Sequence, residues 1–205
     1  MKTPSEELRH TWLQHLLPRA ADEGWTNAAA KAAADDAGLS LGEQALAAPL
    51  GVRDLLRAFF DGAEDEAKAV IAAADLAALK VHEKVAIGVR AWLDVLEPYR
   101  GAVAKASARG MLPWGTADAA GRTWSVANMV WTAIGDTSDD YNYYSKRALL
   151  ASTIAPIVLY WLRDPEPDRL DVFIAARLRG AMRFGQMGAS IFKPVLERFG
   201  SRHAG

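Results

Sequence analysis

Apolar residues recur along this chain at three- and four-residue intervals, and nowhere do they alternate with polar ones over a useful length. Val52, Leu55, Leu56, Phe59 and Phe60 occupy the i, i+3, i+4, i+7 and i+8 positions of a helix that turns one face to a core. Val81, Val85, Val89, Trp92, Leu93 and Leu96 repeat the pattern. Breaker-rich stretches separate such stripes: GAEDE at 62–66, EPYRG at 97–101, GMLPWGT at 110–116 and DPEPD at 164–168. The pattern predicts an all-α fold of nine or ten helices and no strands. The longest apolar run, Ala148 to Leu162, is 15 residues long and interrupted by Pro156. A membrane span needs about 20, so this run reads as a deeply buried core helix, kinked where Pro156 removes a backbone hydrogen bond.

The first 50 residues carry a more particular plan. A helix is expected from about Ser5 to Asp22, then Gly-Trp-Thr at 24–26, a short helix through AAAKAAADDA, a turn at Gly38-Leu39-Ser40, a second short helix, and a fourth helix from near Val52. Short helix, glycine turn, short helix within a three-helix unit is the helix-turn-helix arrangement. The segment GWTNAAAKAAADDAGLS resembles the N-terminal part of TetR-type regulators, which implies a TetR-like bundle with residues 1–51 as its helix-turn-helix unit, residues 52–186 as its main helical body and residues 187–205 as a terminal helix and tail.

Charge argues against DNA as the target of that unit. The segment in the recognition position, LGEQALAAPL, has no basic residue. Residues 1–51 hold Lys2, Arg9, Arg19 and Lys31 against seven acids, a net of −3, which repels phosphate. The helix-turn-helix is therefore expected to be scaffold, with a ligand-responsive TetR-type transcriptional regulator as the alternative reading. Over the whole chain, 24 basic and 25 acidic side chains give a net charge of −1.

Catalytic templates find little to match. The chain has no cysteine, which removes thiolate chemistry and suits a reducing compartment. It has neither a glycine-rich phosphate loop nor a Gly-x-Ser-x-Gly elbow. Di-iron bundles draw on paired Glu-x-x-His motifs, and only Glu7 and His10 have that spacing here. No catalytic residue, metal or cofactor is expected. The start, MKTPSEELRH, has no apolar run after its charges and gives no expectation of a targeting segment.

The most unusual stretch is GDTSDDYNYYSKRALL, residues 135–150, in which three aspartates precede three tyrosines, a Lys-Arg pair and an apolar helix. Acids at 139 and 140 suit a helix start. Tyrosines on the first turn are suited to a contact surface, since each presents an apolar ring and a polar hydroxyl. Asp136, Ser138, Asp140, Asn142, Tyr144, Arg147 and Leu150, with the preceding RTWSVANMVWTAI, resemble the signature of the lipid-binding accessory protein family of coenzyme Q (ubiquinone) biosynthesis, most specifically over residues 122–184.

That resemblance implies a TetR-like fold without DNA binding, a bacterial member of the family, and a non-catalytic role. The protein would bind an isoprenoid quinone or phospholipid and present quinone intermediates to a membrane-associated di-iron hydroxylase. Asp136, Asp139, Asp140, Asn142, Tyr143, Tyr144 and Arg147 map onto its partner-binding patch, although the family commonly has Trp where Tyr143 stands here. Trp92, Leu93, Trp124, Val130, Trp131, Ile154, Ile157 and Trp161 are candidates to line a lipid site between helices, and singly each fits core packing better. Near the C-terminus, Ile191, Phe192, Val195, Leu196 and Phe199 share a face beside Lys193 and Arg198, and residues 177–205 carry a net of +5. Such a segment suits an anionic membrane interface, each basic residue contributing about 1 kcal/mol. Location at the cytoplasmic face of the inner membrane follows, with a homodimer formed through the helices near 143–162 and 168–185.

Overall fold

The computed structural model of the chain describes residues 3–108, 117–139 and 141–200. Its helices are α1 (Pro4–Glu23), α2 (Asn27–Asp36), α3 (Leu41–Ala47), α4 (Val52–Ala73), α5 (Val81–Leu96), α6 (Arg100–Ala108), α7 (Ala117–Ala133), α8 (Tyr141–Trp161) and α9 (Pro167–Gly200), with a 3-10 turn at Glu97–Tyr99 between α5 and α6. No strand occurs among the described residues, so the protein is all-α as its apolar spacing requires. The chain divides into two compact units, one of residues 1–74 and 91–122 and the other of residues 75–90 and 123–205.

In the first unit α1 packs against α2, α3, α4 and α6. Thr3 caps α1 in a capping box with Glu6, and Ser40 with Glu43 does the same for α3. Backbone and side-chain hydrogen bonds from Thr3 hold the Glu6 carboxyl below its usual range, and those from Ser40 do so for Glu43. Gly24, at φ +79°, ends α1 in a conformation that side chains rarely adopt, and sends Trp25 inward. The Trp25 indole N–H then donates to the Ala102 carbonyl at 2.9 Å, while its ring packs 5.5 Å from Phe59. Trp12 anchors α2 similarly through the Ala30 carbonyl at 2.8 Å, and Arg9 Nε donates to the Ala47 carbonyl at the end of α3 at 2.7 Å. A Cβ at Gly101 would stand 3.1 Å from that of Ala21, so glycine is what lets α6 approach α1 so closely.

Two local expectations change. GAEDE at 62–66 does not break the chain, because α4 continues through it. Ala63, Glu64, Ala67 and Ile71 prolong the buried stripe begun by Val52, Leu55, Leu56, Phe59 and Phe60, while Arg122 donates to Asp61 at 2.6 Å and to buried Glu64 at 3.0 Å. One core-facing stripe with its acids paired outweighs one glycine. Val81, assigned by its spacing to a core stripe, is 58% exposed as the first residue of α5. Val85, Val89, Trp92, Leu93 and Leu96 are buried as the spacing requires.

In the second unit α8 packs along α9. Tyr160 and Phe173 stack with centroids 4.1 Å apart, Arg177 lies over the Phe173 ring, and Arg90 on α5 pairs with Asp171 on α9 at 2.7 Å. Asp164 adopts a positive φ of 54° in the DPEPD loop, and Pro167 opens α9. The backbone then stays helical to Gly200, so the stretch read from sequence as two successive helices is one. GMLPWGT at 110–116 lies outside the described residues. No helix among those described is long and apolar enough to cross a membrane.

Candidate functional site

The 135–150 block is built on the way α7 ends. Gly135 takes a φ of +84°, its N–H reaches the Thr132 carbonyl at 3.1 Å, and the N–H of Asp136 reaches back to the Trp131 carbonyl at 3.0 Å. This is the Schellman ending, which needs glycine at its left-handed position. It also fixes where the next side chain points. Asp136 is turned beneath the first turns of α8, its side chain 7% exposed.

There Asp136 joins three donors. Lys146 Nζ lies 2.9 Å from its Oδ1 and an Arg147 terminal nitrogen 3.0 Å from its Oδ2, while the Ser138 hydroxyl donates to Oδ1 at 3.0 Å. Lys146 Nζ also donates to Ser138 Oγ at 2.7 Å. Burial by itself would push the Asp136 carboxyl up; the hydrogen bonds from Lys146, Arg147 and Ser138 outweigh it and leave the group below its ordinary range.

Arg147 is 2% exposed and spreads its guanidinium over several partners. Its Nε donates to Asn128 Oδ1 at 2.8 Å, a terminal nitrogen reaches the Tyr143 carbonyl at 3.2 Å, and its charge lies 3.6 Å from the Tyr143 ring centroid. Tyr143 donates its hydroxyl to the same Asn128 oxygen at 3.2 Å. The Trp131 indole N–H donates to the Lys146 carbonyl at 3.2 Å, with Lys146 Nζ 5.2 Å from its ring. A buried arginine is tolerable only when its donors are matched in this manner.

Above this ionic floor stands an aromatic surface. Tyr144 is 63% exposed, meets Tyr143 edge-on at 5.1 Å and stacks on Trp124 at 6.3 Å. Asp139 and Asn142, in the same block, are exposed as well. The expected contact patch thus separates into two layers. Asp139, Asn142 and Tyr144 face outward with part of Tyr143, whereas Asp136 and Arg147 are buried and act by holding the others in place. Burial of the two charges is tolerable because Asp136 and Arg147 pair with each other and Arg147 also donates to Asn128. Asp140 lies outside the described residues.

The eight proposed lining residues are distributed over both compact units. Trp92 and Leu93 are buried in the first unit, and Val130, Ile154, Ile157 and Trp161 are buried in the second. Trp124 and Trp131 belong instead to the aromatic surface and the ionic floor. Ile191, Phe192, Lys193, Val195, Leu196, Arg198 and Phe199 fall on the last turns of α9, where side chains lie outside those described. His10, of the lone Glu-x-x-His pair, contacts Gln14 at 3.3 Å. Among the described residues no three His, Asp or Glu side chains stand together as a metal site would need.

Asn128 was missed by the sequence reading. Trp124, Asn128 and Trp131 sit at i, i+4 and i+7, and an amide between two tryptophans on one helix face, with buried Ala127, Met129 and Val130 around it, is the signal that marks it.

A family model, COQ9, matches residues 116–185, the stretch that contains this hub. The chain is also similar to the mitochondrial ubiquinone biosynthesis protein COQ9 of Rattus norvegicus, 25% identical over 194 residues that cover 91% of this chain and 62% of that protein. The Homo sapiens protein of the same name is 25% identical over 195 residues, covering 91% and 61%. A probable ubiquinone biosynthesis protein of Dictyostelium discoideum is 26% identical over 93 residues, 45% of this chain and 30% of its own length. The chain therefore spans about three fifths of the length of the first two relatives. The resemblance carried by the signature residues to the accessory proteins of ubiquinone biosynthesis is borne out.

Proposed function

We propose that this chain serves ubiquinone biosynthesis as a non-catalytic accessory protein, binding an isoprenoid quinone or other lipid and presenting quinone intermediates to a membrane-associated di-iron hydroxylase. The observation that carries the reading is the placement of the aromatic surface. Tyr144 is exposed on a first helical turn that is pinned from below by Asp136, Arg147 and Asn128, within the residues matched by the COQ9 family model. Large rings held rigid in water are costly to leave uncovered and are typical anchors of protein contacts. Asp139 and Asn142 supply a polar rim.

The other parts of the reading follow from the same frame. The TetR-like unit α1–α3 acts as scaffold, its acidic balance being unfavourable to DNA. Leu159 and Val172, exposed apolar residues on α8 and α9, favour pairing of two copies through these helices. The cationic end of α9 rests at the cytoplasmic face of the inner membrane.

The test is capture of the purified di-iron hydroxylase by the full chain, with co-purified lipid identified by mass spectrometry after extraction. Retention of the hydroxylase by the natural chain and its loss with Tyr144→Ala support the reading. A chain that carries no lipid, takes up no added quinone and retains no hydroxylase would overturn it.

A further inference from the structure

The buried tryptophans of this protein are treated unequally. The Trp12 and Trp25 indole N–H groups each donate to a backbone carbonyl, at 2.8 and 2.9 Å, and half-buried Trp131 does the same at 3.2 Å. Trp92 on α5 does not. It is 4% exposed, and its Nε1 has no acceptor among the described residues. Residues beside it on the helix, Ala91, Leu93 and Leu96, are likewise apolar and buried, so α5 is embedded here and the N–H is closed off from bulk water. Buried polar groups in folded proteins nearly always find a partner, and one left without calls for a reason. A phenylalanine would fill an apolar position at no such cost, which makes the indole nitrogen itself the feature to explain.

Resting on the lipid-binding reading above, we infer that Trp92 donates its indole N–H to a carbonyl oxygen of the bound lipid, and so selects apolar molecules that carry a carbonyl over plain hydrocarbons. The ligand brings its own acceptor into an apolar region, and the orphan donor is satisfied only in the complex. A ligand without an acceptor gains the apolar contacts alone. Quinone carbonyls and phospholipid ester carbonyls share this chemistry, and the experiment separates them.

Full-length protein labelled with 15N in its tryptophans is titrated separately with a short-chain ubiquinone, with dihexanoylphosphatidylcholine below its micelle concentration, and with the isoprenoid hydrocarbon farnesane. The Trp92 indole signal is the one absent from Trp92→Phe. The expected result is a downfield shift of that proton with the carbonyl ligand that binds, and none with farnesane. In Trp92→Phe the preference for that ligand over farnesane falls roughly three- to tenfold, the share of one neutral hydrogen bond. The ratio cancels any general loss of fit from the smaller ring. Which of the two carbonyl ligands moves the signal names the source. An indole proton that ignores a ligand the natural chain does bind, or that moves equally with farnesane, overturns the inference while leaving lipid binding intact. No uptake of any of the three by the natural chain removes lipid binding and this inference together. The indole readout on the natural chain decides the matter even if Trp92→Phe folds poorly.

Discussion

The α1–α3 unit and the α7–α8 junction solve the same problem with different chemistry. Each must hold short or abruptly ended helices in a fixed register. Around α1, neutral indole N–H groups of Trp12 and Trp25 donate to carbonyls in α2 and α6, and the charged pairs, such as Arg19 with Asp36 at 2.6 Å, stay at the surface. At the α7–α8 junction the fastening is ionic, with the Asp136 and Arg147 side chains buried against one another, half-exposed Lys146 reaching in to Asp136, and an exposed tyrosine on the same turns. Neutral fastening depends little on solution conditions. A buried charge cluster depends on pH and on the presence of every member, and it gives in return a rigid surface residue.

The contrast can be broken most forcefully at Arg147. Arg147→Ala leaves a buried carboxylate short of its main buried partner, and a loss of about 3–5 kcal/mol is expected, read from urea unfolding. The matching change in the other region, Trp25→Phe, removes one indole bond to a carbonyl inside α6 and should cost about 0.5–1.5 kcal/mol by the same measurement. If the two losses were equal, buried charge would not be what sets the junction apart.

Acid sharpens the comparison further. Because the folded Asp136 carboxyl titrates below its unfolded value, its contribution to stability is complete above the unfolded value, about 3.9, and is lost as pH falls through the lower folded one. Thermal melts between pH 7 and pH 2.5 should therefore show an acid-side fall in stability that is shallower in Asp136→Asn. Trp25→Phe should keep the natural slope. The smallest stability effect belongs to Tyr144→Ala, within about 0.5 kcal/mol, because an exposed ring contributes little to the fold; it is the hydroxylase capture that should suffer.

Much of this was legible beforehand, for identifiable reasons. The ends of α1 and α2 and the start of α3 were readable within a residue or two because Gly24 and Gly38 are ordinary stops and Thr3, Thr26 and Ser40 ordinary caps. The α4 error arose where a local breaker, Gly62, met a long-range pairing of Arg122 with Asp61 and Glu64 that no local pattern discloses. At the candidate site the residue types pointed to a contact surface, and Lys146 and Arg147 stood within reach of the aspartates. What spacing did not show is which charges face inward. Burial of Arg147 depends on Asn128, a residue 19 positions away on another helix.

The Schellman ending of α7 has a mechanical meaning beyond stopping a helix. Since Asp136 is tied at once to the last turn of α7 through its backbone and to the first turns of α8 through its side chain, the short loop between them works as a gear with a fixed tooth count. One residue added between Ser138 and Tyr141 would turn the start of α8 by about 100° relative to that anchor, carrying Tyr144 away from Trp124 or Arg147 away from Asp136. The phase of α8, and with it the direction in which the protein shows its aromatic face, is thus set by how many residues follow Gly135, and this loop should tolerate substitution of its exposed side chains far better than any change in its length.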